Sequence, residues 1–147
     1  MLSKHITSFY KNNHFVVTGN LSDINHEESL VTPPTGGSSI NWVLGHIVCY
    51  RCRSLETLGQ PHPKGANLET LYEFNTLPNS ETALSLGALK ALYEETQQQL
   101  LSLLPRLDEG LEKEDRLVFY AYHETMHSGQ FAILRRMLGK ATGVKYK

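Results

Sequence analysis

Apolar residues recur at helical spacing in four long stretches of this chain. From residue 2 to about 19, Leu2, Ile6, Phe9, Tyr10, Val16 and Val17 form a stripe with Asn13 as a polar gap, and Gly19-Asn20 stops it. A second stripe runs from about 40 to 59 through Ile40, Val43, Leu44, Ile47, Val48, Leu55 and Leu58. Ser38 or Ser39 can cap its start, Gly59 ends it, and Pro61 and Pro63 forbid continuation. The third, about 81 to 104, carries Leu84, Leu86, Leu89, Leu92, Tyr93, Leu100, Leu101 and Leu104, with Ser80 as its expected cap and Pro105 closing it. The fourth opens on Glu112, Glu114 and Asp115, carboxylates suited to a helix N-terminus, and runs to Leu138 before Gly139. Its inward seam is expected to be Phe119, His123, Met126, Gln130, Ile133 and Met137, with Tyr120, His127 and Leu134 beside it.

Between these stretches lie two long connections. Residues 21 to 39 contain Pro33-Pro34 and Gly36-Gly37 and allow one short turn, while residues 60 to 80 allow a short helical piece over Leu68 to Phe74. No segment alternates apolar and polar positions for long, so strands are not expected. Helices of roughly 18 to 25 residues each span about 30 Å, one layer of a bundle. The expected fold is therefore an all-α four-helix bundle over residues 1–147, a single domain, with a long crossover connection between helices 2 and 3.

Composition narrows the function classes. Hydrophobic residues make up 40% and charged residues 20%, with a formal net charge of -1, which gives no electrostatic case for nucleic acid. No apolar run approaches the roughly 20 residues of a membrane helix, and the first residues show no export signal, so a cytoplasmic protein is expected. The two cysteines, Cys49 and Cys52, are too few for a disulfide framework. They lie mid-helix, away from the N-terminal dipole that activates a redox Cys-x-x-Cys, and read as buried apolar residues.

Candidate chemistry concentrates in His123-Glu124-Thr125-Met126-His127. Two histidines four apart on one helix face can grip one divalent cation. The string also spells His-Glu-x-x-His, the zinc-protease signature. That reading fails on ligand count, because residues 128 to 147 contain no histidine, carboxylate or cysteine to complete such a site. A third ligand has to come from upstream. His26 and His62 fall in the connections and are expected to be solvated; His5 and His14 flank the first stripe, each alone. His46 differs: it follows Gly45 beside the second apolar stripe. Glycine inside a helix costs about 1 kcal/mol against alanine and signals a packing need. Gly45 and Gly129 fit either two helix backbones drawn together around an ion or relief of crowding against a bulky neighbour.

Asn41-Trp42-Val43-Leu44-Gly45-His46-Ile47 together with His123-x-x-x-His127-x-Gly129-Gln130 resembles the DinB/YfiT-like superfamily of metal-binding four-helix bundles, over nearly the whole chain. The resemblance implies three metal ligands, His46, His123 and His127, holding zinc or nickel with positions left for water. It also implies membership of a group that includes thiol-dependent S-transferases and isomerases and hydrolases, many of them homodimers. The expected function is thus a metal-dependent enzyme activating water or a small thiol on a small-molecule substrate. The alternative is a bundle with a structural metal serving dimerisation or small-molecule binding.

Several neighbours have two readings. Glu124 acts as a base or orients a histidine, or it is a solvated or interhelical carboxylate. Gln130 bonds a ligand histidine or a core carbonyl. Trp42 and Tyr50 line a pocket at the metal or fill core. Arg51 and Arg53 meet an anionic substrate or, as the stronger expectation, lie on an exposed helix face.

Overall fold

The computed structural model describes residues 2–61, 67–107 and 111–146. It is all-helical, with no strand among the described residues. In chain order the helices are α1 (Leu2–Leu21), α2 (His26–Leu30), α3 (Ile40–Thr57), α4 (Leu68–Tyr72), α5 (Leu86–Leu103) and α6 (Leu111–Met137), with a 3-10 turn over Leu104–Arg106 after α5. The long helices form a bundle in which α6 packs against α1 and α3, and α3 packs against α5 as well. Among the described residues no helix is long and apolar enough to cross a membrane. His62 and Pro63 lie outside the described residues.

Local chemistry explains the boundaries. Ser39 caps α3, its hydroxyl accepting the Trp42 amide at 3.1 Å. Asn25 and Glu28 form a reciprocal capping box on α2. α5 begins five residues later than the sequence predicts, capped by Ser85 and not Ser80. The cause is tertiary. The Leu84 amide donates to the Tyr72 hydroxyl at 2.8 Å, and the Leu84 carbonyl accepts from the Asn41 side chain at 2.8 Å. Both backbone groups of Leu84 are thus held by neighbours, and residues 81 to 85 stay out of the helix.

The core has two parts. One gathers Val17, Leu21, Val43, Leu44, Ile47, Tyr72 and Tyr93; the other gathers Ile6, Tyr10, Leu55, Leu100, Leu104 and Leu117. Arg51, expected on a solvent face, is instead buried where the two meet, its guanidinium 3.7 Å from the Tyr93 ring centre and 5.6 Å from that of Tyr10.

The larger correction concerns α6. Its buried residues are Glu114, Leu117, Ala121, Glu124, Ser128, Phe131, Leu134 and Arg135. The seam predicted to face inward, Phe119, Met126, Ile133 and Met137, is 53%, 54%, 64% and 41% exposed. At about 100° per residue these two faces lie on nearly opposite sides of the helix. Polar ties hold the observed rotation. Arg135 donates to the Asn20 carbonyl at 2.7 Å and pairs with Asp23, and Glu124 pairs with Arg51.

Candidate metal centre

His46 comes from α3 and His123 and His127 from α6, and their imidazole nitrogens converge. Nε2 of His123 lies 3.3 Å from Nε2 of His46 and 3.1 Å from Nε2 of His127. His46 is buried, while His123 and His127, on the flank of α6, are half-buried. Among the described residues no other histidine, cysteine or carboxylate joins this cluster.

The outer nitrogens set the tautomers. Nδ1 of His46 lies 2.7 Å from the Tyr72 carbonyl oxygen, which only accepts, so that nitrogen carries the proton. Nδ1 of His127 likewise donates to Oε1 of Gln130 at 2.7 Å. In the neutral rings both Nε2 atoms then present lone pairs, and both point at Nε2 of His123. One proton there bonds one neighbour and leaves lone pair facing lone pair at the other. Nδ1 of His123 is itself buried without a hydrogen-bond partner. Zinc held at about 2.0–2.1 Å in a tetrahedral site separates its nitrogen ligands by about 3.3–3.4 Å. The observed separations, 3.3 and 3.1 Å, match that spacing. The triad can hold a metal ion, and its donor set fits one.

Burial and the neighbouring imidazoles push the His123 pKa down to about 3, with Arg53 adding to the effect. Burial also lowers that of His46, against the hydrogen bond to Tyr72, which raises it. Neutral rings are the ligand form. Aromatic rings brace them. Trp42 stacks on His46 at 4.7 Å and Tyr50 on His123 at 3.8 Å, centre to centre. The Arg53 guanidinium sits 4.8 Å from the Tyr50 ring centre and pairs with Glu73.

The structure brings Trp42, Tyr50 and Gln130 to the triad, but not the Glu124 carboxylate. Although Glu124 adjoins His123 in sequence, it faces the core and is 1% exposed. Its oxygens accept from Arg51 at 2.9 and 2.7 Å and from the Tyr93 hydroxyl at 3.2 Å. Of its two readings, the structure shows the interhelical carboxylate, held by Arg51 and Tyr93 on the core side of α6. Cys49 and Cys52 are buried free thiols, and burial raises both to about 12. Of the remaining histidines, His5 is exposed, His14 pairs with Glu94, and His26 accepts the Leu86 amide at 3.2 Å through Nδ1. His26 is thus a helix-end partner and not simply solvated.

Neither glycine draws helix backbones together. A Cβ on Gly45 would meet the Tyr72 ring at 2.4 Å, and one on Gly129 would meet nothing within 4 Å. Gly45 makes room for the ring whose own carbonyl orients His46. Sequence reasoning missed Tyr72 and misplaced Arg51, which is buried and paired with Glu124. The signals were present: a helical glycine asking for a bulky neighbour, and an arginine in register with Ile47 and Leu55 on the buried stripe of α3.

No curated protein and no solved structure gives a match. The family model of the DinB superfamily matches residues 17–131, a span that includes all three histidines. The chain belongs to the DinB superfamily.

Proposed function

We propose that this chain is a metal-dependent enzyme holding one divalent ion, zinc or nickel, on Nε2 of His46, His123 and His127, and acting on a small molecule. The observation that carries the reading is the convergence of three imidazole nitrogens at 3.1 and 3.3 Å, two of them lone-pair donors by virtue of their outer hydrogen bonds. Imidazole donors suit both metals. An ion held by three neutral ligands supplies undiminished positive charge, which acidifies water or a low-molecular-weight thiol near neutral pH.

The chain's own residues prepare the site. The Tyr72 carbonyl and Gln130 fix two ring orientations and make the rings better donors. Trp42 and Tyr50 cover ring faces and exclude water there. Among the described residues the cluster holds three protein donors, the number of a catalytic zinc site with an open position, which favours this reading over the alternative of a structural metal. In this reading residues 1–147 form one domain whose four long helices are the DinB bundle, with the connection from α3 to α5 as its crossover, and the active form is a homodimer.

Elemental analysis of untagged protein should find about one divalent ion per chain, and His46→Ala should lose it. A His46→Ala protein that keeps its ion would remove His46 from the site. A conjugation screen with small thiols and electrophiles, run with and without the ion, then separates thiol transfer from hydrolysis. Turnover that persists after the ion is chelated would end the metal-dependent reading, and no turnover with any thiol, electrophile or hydrolysable substrate would favour the structural metal.

A further inference from the structure

Three nitrogens on two helices bind one ion only if α3 and α6 keep a fixed register and a fixed rotation. Hydrophobic packing alone does not supply that rotation. The buried face of α6 carries Leu117, Ala121, Phe131 and Leu134, yet a second apolar stripe, with Phe119, Met126 and Ile133 each more than half exposed, points away from the core, and Glu114, Glu124, Ser128 and Arg135 are buried beside the first. Apolar residues are available on either side of the helix, so its polar partners have a part in selecting this face.

The strongest cross-helix tie near the triad is Arg51 with Glu124. Arg51 lies five residues after His46 on α3, and Glu124 is the residue after His123 on α6. Their side chains are 0% and 1% exposed. Nε of Arg51 donates to one carboxylate oxygen at 2.9 Å and Nη2 to the other at 2.7 Å, a fork meeting a fork. Nη1 donates to the Tyr93 carbonyl at 3.1 Å, and the Tyr93 hydroxyl returns to Glu124 at 3.2 Å. One ion pair thus joins α3, α5 and α6. A buried pair of this kind adds little net stability over apolar residues of the same volume. What it adds is direction, since a bidentate contact tolerates neither sliding nor rotation of one helix against the other.

We infer that Arg51 and Glu124 are positioning residues of the metal centre: their bidentate ion pair fixes the rotation of α6 against α3 at which His123 and His127 meet His46. The glutamate of the His-Glu-x-x-His string therefore serves the ion from behind the ligands, through the helix that carries them, and takes no part in proton transfer. This rests on the metal reading above.

The test replaces the pair by apolar residues of similar size, Arg51→Met with Glu124→Leu, and separately replaces the fork by a point charge, Arg51→Lys. Helix content and urea midpoint report the fold. Zinc affinity by chelator competition and the visible spectrum of the cobalt-loaded protein report the site. The double variant is expected to keep its helix content and midpoint yet bind zinc about tenfold or more weakly, with an altered cobalt spectrum. Arg51→Lys, which keeps the charge, is expected to fold and to bind about threefold or more weakly. Zinc binding within twofold of wild type and an unchanged cobalt spectrum in a folded double variant would overturn the inference. If the double variant does not fold, the same result in Arg51→Lys would overturn it. Wild-type protein that binds no divalent ion would instead overturn the metal reading itself, and this inference with it.

Discussion

His46 shows how much a single residue's role depends on distant ones. Its Nδ1 proton goes to the Tyr72 carbonyl, and the Tyr72 ring fits only because residue 45 has no side chain. The sequence made the glycine conspicuous but not its neighbour, since Tyr72 lies 27 positions on, in a connection whose path no periodicity dictates. His123 and His127 were legible because their spacing alone sets them on one helix flank. The protonation of these rings yields a prediction. Below its ordinary pKa of about 6.5, an imidazole of the unfolded chain takes up a proton that folded His123, with its pKa pushed down to about 3, does not. His46 is shifted in the same direction. The unfolded state then binds more protons, and stability falls as pH falls from about 6.5 towards 3. Asp23 and Glu28, whose pKa values lie below the usual carboxylate range, act only at lower pH. Chelator-treated protein should therefore unfold at lower urea at pH 5 than at pH 7.5, and His123→Gln should reduce that difference. Equal midpoints for the wild type at the two pH values would contradict the assignment of buried neutral imidazoles.

At the scale of elements, the long helices were readable from apolar spacing and caps, and α3 was found within two residues at each end. The start of α5 was not, because Ser80 and Ser85 are equivalent caps in isolation and only the fold chooses. Asn41 makes that choice: its amide nitrogen donates to the Leu84 carbonyl at 2.8 Å and its oxygen accepts from the Tyr72 hydroxyl at 2.9 Å. Two elements, the connection ahead of α5 and the α4 segment beside His46, thus hang on one side chain of α3. Asn41→Ala leaves the half-buried Leu84 carbonyl and the buried Tyr72 hydroxyl without this partner. It should lower stability by about 1–3 kcal/mol in urea denaturation and weaken zinc binding as Tyr72 loosens. A variant with the wild-type midpoint would show that solvent replaces Asn41 without loss. The inward face of α6 was the least legible feature. Two apolar stripes compete on this helix, and the buried one, Leu117, Ala121, Phe131 and Leu134, is accompanied by polar partners on three other segments, Arg51, Tyr93 and Asp23. A pattern counted on one helix contains none of those partners.

At the scale of the whole molecule, that misplaced stripe acquires a use. Phe119, Tyr122, Met126 and Ile133 fall on a three-four spacing with Gly129 in the remaining position, the repeat of a helix that packs along another helix. A Cβ on Gly129 would meet nothing within 4 Å, and a mid-helix glycine costs about 1 kcal/mol, so no close packing among the described residues calls for a glycine there. A second α6 crossing antiparallel near Gly129 would give that glycine a role. A two-fold axis there would set Met126 of one chain against Ile133 of the other, and Tyr122 against Met137. With Met137, the stripe is a run of five large apolar or aromatic side chains, each at least 41% exposed, on one face of a single helix. Wild-type protein should therefore sediment at twice the chain mass at micromolar concentration. Ile133→Glu, which sets two carboxylates in the apolar seam, should sediment as a monomer with its helix content and zinc stoichiometry unchanged. A wild-type monomer, or an Ile133→Glu protein that remains dimeric, would refute this arrangement. The four surface-facing side chains and the open glycine are already in the sequence; what the sequence withholds is that the opposite face of α6 is the one buried in the bundle.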